Sequence, residues 1–332
     1  MMPGKDDLRY FEDFIPGVRE DYGSVTLTEA AIIEFAREFD PQPMHLDGAS
    51  AQAKEVGGLI ASGWHTCSLN MRMMADHFIL KSAGMGSPGV SKVRWLNPVR
   101  PGDTLTGVME VLDKRASASK PDRGFVDFRF ELKNQHGKPV LEQTNLVMYA
   151  RRTPGVAEKA SSSIARPAEE AFPSEATAER LGYIGDMVPG TVLKFGTYDF
   201  EAPTMIHFAE RFDPQAFHLD EAIGKASHFG GLSASGWHTA SAWMRVIIDF
   251  WAAREAEAPL PKRGMGFGFD DLQWKRPVLA GDRLTFYGRI LSARKSTSLP
   301  GWGIITQRSH AVNQNGVVVF AFTTSALWQA RP

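Results

Sequence analysis

The chain has 332 residues, a formal net charge of −1 and a single cysteine. That length accommodates two domains of roughly 150 residues, and so small a net charge gives no field to steer nucleic acid or an anionic membrane. The lone Cys67 excludes an internal disulfide and every multi-cysteine metal site. No apolar stretch is long enough to span a bilayer, and the opening residues MMPGKDDLRYFEDF lack the apolar core of a secretory signal. A soluble cytoplasmic protein is expected.

In chain order, the first signal is the Pro16–Gly17 turn, followed by a short extended stretch. TEAAIIEFAREFD then places Ile32, Phe35, Ala36 and Phe39 at helical spacing, with Thr28 as N-cap. Residues 39–47 read FDPQPMHLD, and a short helix GASAQAKE follows, with Asp47 placed to cap it. GGLIASGWHT from Gly57 opens a long helix predicted over 63–80, apolar on more than one face and therefore a buried central helix. Four strands are predicted next, VSKVRWLNPV, TLTGVMEVLDKRAS, GFVDFRFELKN and VLEQTNLVMYARR, separated by the turn signals PGD, PDRG and NQHGK.

Residues 151–178 are rich in Ala, Ser, Pro and charge and read as a linker between a domain at 1–150 and another at 179–332. The second domain then says the same thing again. It has Pro189–Gly190, a helix with Met205, Phe208, Ala209 and Phe212, then FDPQAFHLD at 212–220 and a short helix that Asp220 can cap. GGLSASGWHT, a long helix predicted over 236–254 and four more strands complete it. A constant shift of 173 positions relates Asp40 to Asp213 and Gly63 to Gly236, and a shift of 179 relates Trp95 to Trp274. The second long helix is therefore followed by about six extra residues. The class is α+β. One antiparallel sheet around one helix leaves an open edge, so the two units are expected to share a sheet of about ten strands, with both long helices on its concave side.

The order D-x-x-x-x-H-x-D, a Gly-Gly turn and a small residue followed by Gly at a helix start resembles the MaoC-like dehydratases. These include the (R)-specific enoyl-CoA hydratases and are built on the hotdog fold. The resemblance covers roughly 8–150 and 180–330 and implies a tandem, or double, hotdog. It implies that Asp40 with His45, and Asp213 with His218, are catalytic pairs. It also implies that backbone N–H groups of Gly63 and Trp64, and of Gly236 and Trp237, bind the thioester oxygen. The chain departs from the family in carrying Gln42 and Gln215 where Asn is usual, and Ser62 and Ser235 where His is common.

The residues fit that chemistry. Hydrating a C=C conjugated to a thioester needs a base to take a proton from water and an acid to supply one to the α-carbon, and a carboxylate with an imidazole can do both. A backbone N–H at a helix N-terminus is an unpaired donor that can stabilise the enolate-like oxygen. The bland alternative makes Asp40 the end of a helix, His45 a satisfied half-buried side chain and Ser62-Gly63 only a capped turn. His65 and His238 are read as structural, and Cys67 as a small buried filler. His45, Asp47 and His65, with His218, Asp220 and His238, also spell an H-x-D…H iron set, a rival reading that a capping role for Asp47 and Asp220 opposes.

The expectation is a hydro-lyase acting on a trans-2-enoyl or (R)-3-hydroxyacyl thioester, with coenzyme A as carrier and fatty acid metabolism as setting. No cofactor or metal is required. A non-catalytic acyl-CoA-binding protein and a hotdog thioesterase are the alternatives. The partner is a small-molecule acyl thioester, without nucleic acid or membrane, and a homodimer is allowed. Lys92, Arg94, Arg100, Lys275 and Arg276 are candidates for the coenzyme's phosphates. Both sites are expected to work, with acyl pockets that differ through Met44 against Phe217, Leu69 against Ala242 and Asn70 against Trp243.

Overall fold

The computed structural model describes residues 8–155 and 170–331. Ten antiparallel strands form one sheet in the order β1-β3-β4-β5-β2-β7-β10-β9-β8-β6. The N-terminal unit supplies β1 (Arg19–Thr26), β2 (Gly89–Trp95), β3 (Thr104–Ala116), β4 (Arg123–Lys133) and β5 (Pro139–Ala150). The C-terminal unit supplies β6 (Val192–Asp199), β7 (Arg263–Trp274), β8 (Arg283–Lys295), β9 (Trp302–Val312) and β10 (Val318–Gln329). Strict alternation along β4 buries Val126, Phe128, Phe130 and Leu132 on one face, as a sheet with one covered side requires.

That face carries the helices. They are α1 (Glu29–Phe39), α2 (Pro43–Leu46), α3 (Ala51–Glu55) and α4 (Gly63–His77), then α5 (Ala202–Phe212), α6 (Ala216–Leu219), α7 (Glu221–Ala226) and α8 (Gly236–Glu257). Thr28 caps α1 by accepting from Ala31 N–H at 3.1 Å, and Ile32, Phe35, Ala36 and Phe39 are buried, as their spacing requires. Asp220 caps α7 through Ile223 N–H at 2.8 Å. Asp47 does not cap α3. It turns back onto Ala49 N–H at 2.8 Å, and Ser50, which stands immediately before the helix, accepts from Ala53 N–H at 3.1 Å. α4 stops at His77, short of the expected 80, and a 3₁₀ turn over Ile79–Lys81 follows; α8 runs to Glu257, beyond the expected 254.

The two units meet where β2 pairs with β7. A Cβ on Gly89 would lie 2.0 Å from Leu272 O, and one on Gly268 would lie 2.0 Å from Val93 O. The two glycines occupy equivalent places in the repeat, so the seam needs a bare backbone on both sides. Gly268 also sits at φ +127, where a side chain is strained. Arg94 crosses the seam with a bidentate pair to Asp270 at 2.7 and 2.9 Å and a bond to Phe269 O at 3.1 Å.

Across the seam the helices clasp each other reciprocally. Arg72 of α4 donates to Glu210 O near the end of α5 at 2.8 Å, and Arg245 of α8 donates to Arg37 O near the end of α1 at 2.9 Å. A cation at a helix C-terminus opposes the dipole and satisfies an orphan carbonyl. Rings interleave as well: Phe35 meets Phe212 at 5.7 Å and Phe39 meets Phe208 at 5.5 Å. Much of the expected linker, residues 156–169, lies outside the described residues. At its far end Glu170 holds the buried Arg308 through two bonds of 2.8 Å, so that end is fastened to the C-terminal sheet.

His65 and His238 are part of this packing. His65 stacks on Phe35 at 4.5 Å and His238 on Phe208 at 4.8 Å, and the Nδ1 of each is buried without a hydrogen-bond partner. Burial pulls both down from the ordinary 6.5 to about 3, aided by nearby Arg211 and His45 for His65 and by His218 for His238. The folded chain thus keeps both neutral between about pH 3 and 6.5 while the unfolded chain protonates them. Stability is full above 6.5 and falls as pH drops toward 3. Circular dichroism across an acid titration is expected to show His65→Phe/His238→Phe unfolding at lower pH than the parent; an unchanged or raised midpoint would refute the linkage.

Candidate active sites

Asp40 is the residue at which α1 ends, its N–H bonded to Ala36 O at 2.9 Å. Pro41 and Pro43 stiffen the step into α2, which carries His45 on its single turn. The carboxylate is fully engaged: Oδ1 accepts from Gln42 Nε2 at 2.8 Å and Oδ2 from Ser62 Oγ at 2.6 Å. His45 Nε2 stands 3.4 Å from the same Oδ2, and His45 Nδ1 lies 2.8 Å from Ile60 O. The second copy repeats each contact. Gln215 and Ser235 donate to Asp213 at 2.8 and 2.7 Å, His218 Nε2 is 3.4 Å from Oδ2, and its Nδ1 is 2.7 Å from Ser233 O. All four residues are buried.

The tautomer follows from the partners. A carbonyl oxygen only accepts, so Nδ1 carries hydrogen, and in the neutral ring Nε2 presents its lone pair toward the carboxylate. Burial opposes ionisation of Asp213, but the charge and hydrogen bond of a protonated His218 ring, with the bonds from Ser235 and Gln215, outweigh it and hold its carboxyl below the ordinary range. A separation of 3.4 Å is longer than a good hydrogen bond, so the pair is loosely coupled and both groups face the same small volume.

Ser62 does two jobs. It N-caps α4, accepting from Trp64 N–H at 3.2 Å, while its hydroxyl proton goes to Asp40. Ser235 does the same for Trp237 and Asp213. This corrects the expected oxyanion donors. The amides of Trp64 and Trp237 are taken by the caps, whereas those of Gly63 and Gly236, first in their helices, have no intrahelical acceptor. Gly is required there by close approach. A Cβ on Gly63 would lie 2.4 Å from Trp95 Cε2, and one on Gly236 would lie 2.2 Å from Trp274 Cε2. Trp95 and Trp274 are only half-buried and line the cavities, so they are site walls and not simply core.

Each pair opens into its own cavity, of about 260 Å³ at Asp40 and His45 and about 400 Å³ at Asp213 and His218. Each cavity draws walls from both units. Trp243, Ile247 and Trp251 of α8 line the cavity of Asp40 and His45; Met71, Met74 and Phe78 line that of Asp213 and His218. Met44 and Phe217 line their own sites as expected. Trp243 was assigned to the wrong site, because the shared sheet carries each long helix past the other unit's cavity. Leu69 and Ala242 line neither cavity, and Asn70 is buried in bonds to Tyr22 Oη at 2.5 Å and Gln143 at 3.2 Å.

Other candidates sort themselves by contact. Arg94 is spent on the seam, and Arg100 donates to Val56 O and Gly57 O. Lys92 is exposed and lines neither cavity, leaving Lys275 and Arg276 at the mouth of the second. Asp47 is exposed and His65 sits among rings, so the iron set does not converge. Among the described residues no group of three His, Cys, Asp or Glu side chains is placed to hold a metal. Cys67 is buried, and burial pushes its thiol up to about 12.

The family description "MaoC like domain" matches twice, at residues 16–124 and 187–298, together more than half of the chain. The chain belongs to the MaoC-like domain family. A protein of Chloroflexus aurantiacus J-10-fl described as a MaoC domain protein dehydratase superposes with a TM-score of 0.78 at 17% identity, covering 99% of this chain and 100% of that one. The Mycobacterium tuberculosis protein RV0216, described as a double hotdog fold, superposes with a TM-score of 0.70 at 18% identity over 98% of this chain and 99% of its own. These likenesses establish the double hotdog fold. Uncharacterized protein YdeM of Bacillus subtilis (strain 168) is 28% identical over 128 residues, 39% of this chain and 89% of its own length. No helix among the described residues is long and apolar enough to cross a membrane.

The Gly–Trp contact makes a test of the helix start. Gly63→Ala is expected to cost about 1–3 kcal/mol by overpacking, read as a lower urea midpoint. Trp95→Ala should remove most of that penalty in a double-mutant cycle. Additive effects would show that the added methyl does not meet the indole.

Proposed function

We propose that this protein is a hydro-lyase that adds water to a trans-2-enoyl thioester, or removes it from the (R)-3-hydroxyacyl thioester, at two sites. The observation that carries this reading is the buried Asp–His pair, tied through Ser62 or Ser235 to a helix N-terminus and present twice with the same contacts. Membership of a family named for dehydratases agrees with it.

In the hydration direction a water sits beside the pair, within reach of the carboxylate and of the imidazole Nε2. Its oxygen attacks the β-carbon, the imidazole Nε2 takes the proton it sheds, and the π electrons move onto the thioester oxygen. Gly63 or Gly236 N–H stabilises that oxygen with the partial charge of the helix start. The charge then returns to the α-carbon, which takes that same proton from the imidazolium, while the carboxylate beside it stabilises the positive ring. No atom beyond those of water is added. Coenzyme A suits the carrier role, and Lys275 and Arg276, which line the second cavity, are the candidates for its phosphates.

The test uses short trans-2-enoyl-CoA thioesters and the ultraviolet band of the conjugated system. Loss of the band without free thiol supports hydration. Thiol release would instead make the protein a thioesterase, and binding without either change would make it an acyl-thioester-binding protein. Asp40→Asn and Asp213→Asn are each expected to keep activity toward some substrate, while the double variant loses roughly 10²- to 10⁴-fold or more. A single variant as inactive as the double on every substrate would refute two working sites.

A further inference from the structure

The cavity beside Asp40 and His45 ends in a charge that its counterpart lacks. Arg263 opens β7, lines that cavity and pairs across the sheet with Trp328 of β10. At the equivalent place in the N-terminal unit, the residue bridged to Tyr149 is Gly84, which has no side chain to offer. The Arg263 guanidinium lies 5.7 Å from the centre of the Trp251 ring. Its Nη2 donates to the exposed Glu255 at 2.9 Å, while its Nη1 is buried and has no hydrogen-bond partner.

The position along the slot matters. Trp243 packs against Trp64, beside Gly63, with ring centres 5.9 Å apart. Trp251 is two turns further along α8, about 12 Å at the helical rise, and it packs on Trp328 at 5.3 Å. Arg263, Trp251 and Trp328 therefore close the slot at the end away from the acid–base pair. A buried N–H without an acceptor costs free energy, and the guanidinium fork matches a carboxylate better than any neutral group. Glu255 occupies only the other nitrogen, at the exposed rim, where an ion pair contributes little.

We infer that the Asp40–His45 site takes acyl thioesters whose far end carries a carboxylate, held by Arg263, whereas the Asp213–His218 site takes apolar-ended chains among Met71, Met74 and Phe78. This rests on the hydro-lyase reading and leaves its chemistry unchanged, with water's oxygen going to the β-carbon and a proton to the α-carbon.

The experiment isolates one site at a time. In the Asp213→Asn chain, two trans-2-enoyl-CoA thioesters of equal carbon number are compared, one ending in methyl and one in carboxylate. The carboxylate-ended compound is expected to win in kcat/KM by about ten- to a hundred-fold, the span of a charge-assisted hydrogen bond. Arg263→Met should abolish that ratio and Arg263→Lys should restore part of it. The same Arg263→Met change in the Asp40→Asn chain checks folding through the other site. A preference for methyl ends, or a carboxylate preference that survives Arg263→Met, overturns the inference. If neither thioester is hydrated at either site, the hydro-lyase reading falls instead. Binding of the same pair, followed by tryptophan fluorescence, then decides the inference: tighter binding of the carboxylate end supports it and equal binding overturns it.

Discussion

The backbone contact between β2 and β7 is the constraint on which the rest depends. Gly89 and Gly268 let each strand approach the other's carbonyl more closely than any Cβ would permit. That approach turns two sheets of five strands into one of ten. It also brings α4 and α8 side by side, so that Trp64 stacks on Phe269 of the opposite unit at 5.0 Å. Without the seam neither cavity would have its far wall. The units are separate in sequence but not in chemistry, because the acid–base pair of one faces the long helix of the other.

This crossing lets the far walls of the two cavities diverge while the Asp–His pairs stay alike. The groups to which the proposed reaction assigns chemistry, Asp40, His45 and Gly63 with their copies, come in each site from one unit and keep the same contacts to within 0.1 Å in the distances to Ser and backbone partners. The far walls of each cavity come from the other unit and are held to no such geometry. Trp251 stands where the repeat has Phe78, and Arg263 where it has Gly84. A change in the far wall of one cavity is thus made in the unit that carries the other cavity's Asp–His pair.

Much of the fold was legible because hydrophobic period and repetition agreed. The strands, the long helices and the ten-strand sheet followed from alternation, turn residues and the problem of an open edge. What the sequence did not reveal was which strands meet at the seam and which long helix each cavity borrows. The repeat aligned Trp243 with Asn70 and suggested that each lined its own site; only the sheet order sends Trp243 to the opposite cavity. Gly89 and Gly268 carry the same shift of 179 as Trp95 and Trp274, a signal that was present but has meaning only once two strands are known to touch. Asp47 failed as a cap for a smaller reason. Two residues of different type compete for one helix start, and the nearer one, Ser50, wins.

Ser62 shows why part of the site was hidden. Read alone, it is an N-cap, and that reading holds. The same oxygen also donates to Asp40, which ties the helix start to the acid–base pair through one hydroxyl. A serine at a cap has one proton to give and lone pairs to spare, so the two roles do not compete. The family's usual histidine at this place could not cap a helix in the same way, and Ser62 with Gln42 satisfies both carboxylate oxygens of Asp40 at once. Asp40 is therefore held as an acceptor aimed by two donors, and His45 is aimed by Ile60 O. What remains unpaired around them is the Nε2 lone pair and the Gly63 N–H, the two functions that the proposed hydration draws on.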